Sequence, residues 1–459
     1  MERVRKENFK MPTKPNIREL NANTPDIMNA IRNSASANYR EMIPTATDAN
    51  VREIGTIIMG NPTFQNEFLS GLVNRIGQVL VTSKMYKNPW AMFKKGKLEF
   101  GETIEEIFVA LAKAHTYDVD VAENEVFRRE IPDVQNAFHV LNYQKFYKVT
   151  IQEEQLRQAF LSMDGVTNLI SKIVESMYNS AEYDEFNVMK YMIAKHLLTG
   201  TFYPVQVTDA ETDPKNVVKA MKKISNQFTF MQDKYNYAGV PTLTLKENQY
   251  LIVNADFDAT MDVDVMASAF NMDKVEFLGH RVLIDGFDKI DTKRMNYLFK
   301  DDPNYTEIEQ SDLTSLAKIP AVIVDLDWFM IFDNMEKFTE IYNAQGLYWN
   351  YFYHVWKIVS VSPFQNAVAL VNTESTVTKV TVTPLTATVP AGGQVALSAK
   401  VDTTGFAPQA VEWSMDEEKG TVDYKGNVRI KKGVTGTVTV TATSVFDKTK
   451  SGSCTITVG

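Results

Sequence analysis

Cysteine is almost missing from this chain: its 459 residues hold one, Cys454. A lone thiol makes no intrachain disulfide and builds no cysteine-rich zinc site. It reads as a small buried hydrophobe. Histidine is nearly as scarce, and His115, His139, His196, His280 and His354 stand far apart with no HExxH-type spacing. No stretch approaches the ~18 consecutive apolar residues of a membrane helix. The opening MERVRKENFKMPTKPNIREL carries charge with no apolar stretch behind it. It is not expected to act as a signal peptide, so the chain should stay where it is made, with no membrane partner. A basic excess is absent too. The formal net charge is -9, against the basic face a dedicated nucleic-acid binder carries. There is no Gly-rich phosphate loop, no βαβ alternation, and no Ser/His/Asp or Cys/His arrangement. No catalytic residue, cofactor or metal ligand is assigned, and the chain is expected not to be an enzyme.

What is present suits a folded, multidomain protein. Hydrophobic residues make up 44% and charged residues 23%, which excludes disorder as the default. Pro12, Pro15, Pro25, Pro44 and Pro62 break the first sixty residues into short helical pieces, such as Pro25 to Ile31 capped by Thr24, joined by extended chain. That segment reads as an arm able to reach a neighbour. Residues 64–80 have helical apolar spacing. Residues 165–199 hold the longest helical candidate, with Leu169, Ile173, Val174, Met177 and Ala181 on one face and Gly200 at its end. It would span roughly 50 Å at 1.5 Å per residue. From 200 to 372, strand-like runs (LIVNADF, RVLIDGF, AVIVDLDWFMIFD, VWKIVSVSPFQNAVALV) mix with helical patterns at 216–229 and 262–271. At 104–111 the spacing fits a helix capped by Thr103 and Glu106, and equally a strand.

Composition changes near 373–378. From Ser375 onward, 9 Lys+Arg stand against 7 Asp+Glu, while the rest carries 39 against 50. Short alternating strands rich in Thr and Val recur there between turn residues, and Trp413 reads as a core tryptophan. This is the pattern of an all-β sandwich.

Three charged groups bear on chemistry. Asp256, Asp258, Asp262 and Asp264 resemble a calcium loop but lack its sixth-position Gly. Asp325 and Asp327 end a strand, as in some metal-dependent transferases, yet no nucleotide loop precedes them. Lys94, Lys95 and Lys97 form a tight basic cluster, with Glu102, Glu105 and Glu106 close behind. These six are the candidates for intersubunit contact; the blander reading is a solvated loop.

Several long strings resemble the major capsid proteins of small podophages of the phi-twenty-nine type. They are NAIRNS at 29–34, FKKGKLEFGETIEEIF at 93–108, YNSAEYDEF at 178–186, DVDVMASAFNMDKVEFLGHRVLIDGF at 262–287, DLDWFMIFDN at 325–334 and GLYWNYFYHVWKIVSVSPFQNAVALV at 346–371. The tail resembles the bacterial immunoglobulin-like group-two domain, through Val380, Val382, Pro384, Gly392–Gly393, Trp413 and Val438-x-Val440-x-Ala442. The resemblance implies an α+β fold of the HK-ninety-seven type, with a long spine helix and extended loop, plus the C-terminal sandwich. It divides the chain into an N-terminal arm and helices (1–84), an extended loop (85–160, with strands at 103–111), the spine (161–200), an axial domain (201–345, with 288–318 read as an insertion), a peripheral return strand (346–374) and the immunoglobulin-like domain (375–459).

The function so implied is a head shell of pentamers and hexamers, icosahedral or prolate, around double-stranded DNA. Its partners would be further copies, a scaffolding protein, a portal protein and packaged DNA held without sequence specificity, all assembled in the host cytoplasm. In this family the immunoglobulin-like domain decorates the outside. The rival readings are a surface adhesin and, on Asp325 and Asp327, a metal-dependent transferase.

Overall fold

The computed structural model describes residues 24–79, 86–99, 103–112, 114–115, 132, 134–160, 165–207, 212–261 and 280–459. Its helices are α1 (Thr24–Ser34), α2 (Ala37–Met42), α3 (Val51–Met59), α4 (Pro62–Val79), α5 (Glu153–Ala159), α6 (Gly165–Leu198), α7 (Pro214–Phe228), α8 (Ala255–Thr260), α9 (Thr292–Phe299) and α10 (Gln310–Leu316). The strands of the main body are β1 (Lys94–Lys97), β2 (Ile104–Val109), β3 (Val134–His139), β4 (Tyr143–Gln152), β5 (Tyr203–Gln206), β6 (Gln249–Asn254), β7 (Arg281–Ile284), β8 (Ala321–Asp325), β9 (Phe329–Asn343), β10 (Tyr348–Val361) and β11 (Ala367–Val371). The helical option at 104–111 is not taken, and α6 forms where the apolar spacing placed it. The helix expected at 262–271 lies outside the described residues.

One compact unit gathers residues up to Asn88, Tyr143–Asp184 and Met335–Trp356. The helical piece expected from Pro25 is part of α1, and from residue 24 onward such pieces pack together where the sequence read them as joined along an arm. Pro25 and Pro62 sit in the first turns of α1 and α4, where a missing N–H costs nothing, so the prolines start helices and do not interrupt packing. Ile31, Tyr39, Ile54, Ile58, Phe64 and Phe68 are buried. Tyr39 meets Phe64 edge-on at 5.5 Å, and Phe68 meets Phe160 at 5.4 Å. Gly55 is required where α3 crosses Phe160, since a Cβ there would stand 2.9 Å from that ring. The Ser36 hydroxyl accepts from Tyr39 N and so caps α2, while Asn29 bonds both polar groups of Ala46. Within this unit β4 lies against β10, joined by Thr150 to Asn350, and Tyr353 stacks on both Phe338 at 4.4 Å and Tyr178 of α6 at 4.9 Å, the latter two rings 5.9 Å apart.

The second unit gathers Pro89–Asn142, Glu185–Asn334 and Lys357–Gly459. Its centre is a five-stranded sheet of order β5-β11-β8-β6-β7. β11 runs parallel to β5 and antiparallel to β8, and β6 runs parallel to β7. Every residue of β8 (AVIVD) and β11 (AVALV) is buried, as expected of strands covered on both faces. α7 lays Val217, Met221, Ile224 and Phe228 on this sheet, one helical face at spacings of four, three and four. The single return strand expected over 346–374 is divided: β10 ends at Val361 and β11 belongs to the five-stranded sheet. The break falls at Ser362-Pro363, where proline has no N–H to give to a ladder.

Residues 288–318 are clamped to the C-terminal part of α6. Asn187 exchanges hydrogen bonds with the Asp291 backbone, Lys190 Nζ donates to Lys289 O, Tyr191 Oη donates to Thr306 O at 2.9 Å, and Lys195 Nζ donates to Asn304 O at 2.7 Å. The helix ends at Gly200 with φ +69°.

The C-terminal part contains β12 (Thr376–Thr383), β13 (Thr386–Val389), β14 (Gln394–Ala396), β15 (Ser398–Thr404), β16 (Val411–Met415), β17 (Gly420–Val422), β18 (Asn427–Ile430), β19 (Gly436–Ser444) and β20 (Ser451–Val458). The sheets β13-β20-β19-β16, β14-β18-β17 and β12-β15 enclose one core of Val380, Val382, Leu397, Val428, Val440 and Ile456 with their neighbours. Trp413 packs against that core while only partly buried. Its ring needs a glycine at 426, where a Cβ would lie 2.9 Å from it. Cys454 faces inward, fully buried.

Candidate assembly interface

Of the six charged contact candidates, the structure gives four a partner within the chain, three of them partly buried and one, Glu105, exposed. Lys94 opens β1, which pairs in parallel with the start of β9 (Lys94↔Ile331). Its ammonium lies 3.2 Å from Glu185 on α6 and 2.7 Å from Asp333 on β9. Lys357 on β10 pairs with the same two carboxylates, bonding Glu185 and standing 3.1 Å from Asp333. Two cations and two anions thus alternate around a closed ring, with Lys357 and Glu185 no more than 4% exposed. Burial opposes the Lys357 charge, but Glu185 and Asp333 outweigh it and raise its pKa. Burial likewise raises Asp333, but Lys357 and Lys94 outweigh it and leave the carboxyl below its ordinary value.

Lys95 bonds Asp327 and donates to Leu326 O at 3.1 Å. Glu106 accepts from Ser362 Oγ at 2.7 Å and lies 3.3 Å from His139 Nε2. Lys97 and Glu105 are exposed, Glu105 accepting from Asn136 Nδ2 at 3.1 Å. Glu102 lies outside the described residues. Glu185, Asp333 and Lys357 had no local signal: each is an ordinary charge in its own segment, and only the fold brings them to Lys94.

The transferase pair does not converge on a common point. Asp325 Oδ1 accepts the backbone N–H of Asp327 at 2.8 Å, capping a single 3-10 turn. Burial raises the Asp325 pKa, while the Asp327 carboxylate turns to Lys95. Asp258 pairs with Arg281 at 2.8 Å, Asp256 is exposed, and Asp262 and Asp264 lie outside the described residues. Among the described residues, no three His, Cys, Asp or Glu side chains are grouped to hold a metal ion. No described helix is long and apolar enough to cross a membrane.

One exposed surface is the β2–β3 pair, a two-stranded sheet of its own among the described residues. Its register runs from Ile104↔His139 to Val109↔Val134. Side chains alternate between its faces. The inner face carries Glu106, Phe108 and His139, and is fastened to residues 359–364: Phe108 stacks on Phe364 at 6.0 Å, His139 Nδ1 meets Ser360 Oγ, and Asn142 bonds both polar groups of Val359. The outer face carries Ile107, Val109, Val134 and Phe138, each at least 50% exposed. Among the described residues no further strand pairs with this ribbon, and its apolar face calls for a partner. The sequence signal for these four is the alternation in ETIEEIFV and DVQNAFHV, which the adjoining charges obscure.

Comparison with known proteins gives this arrangement its context. Residues 28–371 match the model of the Phi29-like phage major capsid protein family, and residues 376–456 that of the bacterial Ig-like domain (group 2). The major capsid protein of Bacillus phage B103 is 41% identical over 427 residues, covering 91% of this chain and 89% of that protein. The major capsid protein of Bacillus phage PZA is 38% identical over 397 residues, covering 85% and 83%. Among solved structures, the capsid of Staphylococcus phage Andhra contains a chain matched over 64% of this one and 86% of its own length, with a TM-score of 0.50 at 14% identity.

Proposed function

The chain belongs to the Phi29-like phage major capsid protein family, with the HK-ninety-seven-type fold and a C-terminal bacterial Ig-like domain, and from that premise we propose how it builds the capsid of its tailed bacteriophage. Copies join as pentamers and hexamers into an icosahedral or prolate head around double-stranded DNA. Repeated heterologous contacts close such a shell, and each can be modest because many act together. The work is assembly, not catalysis.

One observation carries this reading: the outer face of the β2–β3 pair, with Ile107, Val109, Val134 and Phe138 exposed and its inner face fastened to its own subunit. It would lie across a neighbouring subunit, with Lys97 and Glu105 at the rim of the contact. Lys94, Lys95 and Glu106 instead hold the subunit's own shape. The net acidic body suits an inner wall that does not trap packaged DNA. A scaffolding protein and a portal protein complete the assembly in the host cytoplasm. Residues 85–160, 161–200 and 201–345 would act as extended loop, spine and axial domain, and 375–459 would face outward.

The test is expression of wild type and the Ile107→Asp/Phe138→Asp variant with the phage's scaffolding partner, followed by sedimentation and negative-stain microscopy. Wild type is expected to give closed shells or rings. The variant should remain as folded subunits with an unchanged melting temperature. Shells at wild-type yield from the variant would remove the β2–β3 pair from the interface.

A further inference from the structure

A second exposed apolar surface lies in the segment that follows α7. Phe230, Met231, Tyr237, Leu243 and Leu245 all stand in solvent, Phe230 at 66% exposure. Scattered single hydrophobes are ordinary on a protein surface, but a group within one short loop marks a binding face.

The loop is held rigid. Gln232 and Thr242 exchange backbone hydrogen bonds at 3.0 and 3.1 Å, which sets Met231 beside Leu243. Thr244 N donates to Phe228 O, Ala238 N to Pro363 O, and Ala367 N to Tyr235 O. The Asn236 side chain closes on both polar groups of Val240. Tyr235 and Val240 point into the core and anchor the loop, while the five apolar side chains stay exposed. A face already fixed in shape loses little conformational entropy when covered.

Size and charge narrow the occupant. At the roughly 150–250 Å² that large side chains bury, the exposed fractions of these five come to on the order of 500 Å². That is close to the apolar share of a standard interface, about 57% of ~800 Å² per partner. The flanking cations are already engaged, Lys234 over the Tyr235 ring at 4.6 Å and Lys246, itself exposed, bonded to Ser225 and Asn226. The face therefore lacks the projecting positive charge a nucleic acid needs. It recurs on every subunit, and in a shell the partner present in equal number is another copy of the chain.

We infer that the 229–245 loop is a subunit–subunit contact, its apolar side seated on a neighbouring copy of this chain. This rests on the assembly reading above and adds a second contact to that of the β2–β3 pair.

The lone native cysteine is fully buried, which leaves a clean probe. Phe230→Cys introduces one accessible thiol into the full chain, and maleimide labelling is followed in free subunits and in purified shells. The expected result is at least a tenfold slower reaction in shells. Equal rates in both states would overturn the inference while leaving the reading of the β2–β3 pair intact. Protection that disappears when other head proteins are stripped from intact shells would give the surface to one of them, and would overturn it too. A Phe230→Asp/Leu245→Asp variant supplies the second readout: at least a tenfold fall in assembled fraction with the subunit's melting temperature unchanged, against wild-type assembly if the surface is free. Failure of wild type to form shells or rings at all would instead strike the assembly reading itself.

Discussion

Lys357→Met removes one of two cations from the ring that joins β1, α6, β9 and β10. In the native subunit Glu185 is almost wholly buried, and Asp333 is held ionised by Lys357 and Lys94. Removing one partner of a buried pair costs about 3–5 kcal/mol, because a charge is left behind without its counterion. Lys94 still lies 3.2 Å from Glu185 and 2.7 Å from Asp333, so the lower end applies, about 3 kcal/mol. At roughly 1–2 °C per kcal/mol for a chain of this length, this lowers the melting temperature by about 3–6 °C. The assay is thermal unfolding of soluble subunits by circular dichroism, at low and high salt. A buried ring is screened little, so the loss should persist in 1 M NaCl. The pH dependence has a definite sign. The folded Asp333 pKa lies below its unfolded value, so its contribution is complete above about pH 4 and is lost as pH falls through the folded value. The difference between wild type and variant should therefore narrow only in acid. Glu185→Gln combined with Lys357→Met should cost less than the two single changes added, since the Lys94–Asp333 pair survives. A shift under about 2 °C for the single variant, or strict additivity in the double, would refute the ring as a cooperative unit.

Other perturbations read other parts of the fold. Burial, with Lys195 nearby, lowers the His196 pKa to about 4, so the unfolded state takes up a proton first as pH falls from 6.5. Stability should drop by up to ~3 kcal/mol between pH 6.5 and 4, and His196→Gln should flatten most of that slope; an unchanged slope would exclude His196 as its source. Asp325→Asn keeps the acceptor for the Asp327 N–H without a buried charge, and should match or exceed wild-type stability at pH 7. Asp325→Ala should lose about 1–2 kcal/mol of it in the same melt, and the reverse ranking would mean that the charge itself is needed. Cys454 should react with a thiol reagent only as the protein unfolds, at the rate of global opening; rapid native-state labelling would contradict its placement in the sandwich core.

Much of this protein was legible from local patterns. The spine helix follows from apolar spacing and a terminal glycine, the sandwich from alternating Thr and Val between turns, and β8 and β11 from continuous apolar runs. The capsid family was legible from long, unusual strings such as FKKGKLEFGETIEEIF. Each of these is a property of neighbours in sequence, set by periods of 3.6 or 2 residues or by identity over a window. The tertiary structure decided what depends on distance through space. It packed the helices of residues 24–79 together, burying Ile31, Ile54 and Phe68, where the sequence read helical pieces strung along an arm. It drew Lys94, Lys95 and Glu106 into intramolecular partnerships with residues 33 to 256 positions away, as with His139 and Ser362. It also left Ile107, Phe138 and Phe230 uncovered. A charge or an apolar side chain carries no mark in the sequence of whether its partner lies in its own subunit, since pairing energy depends on separation and burial, and both are created only when the chain folds.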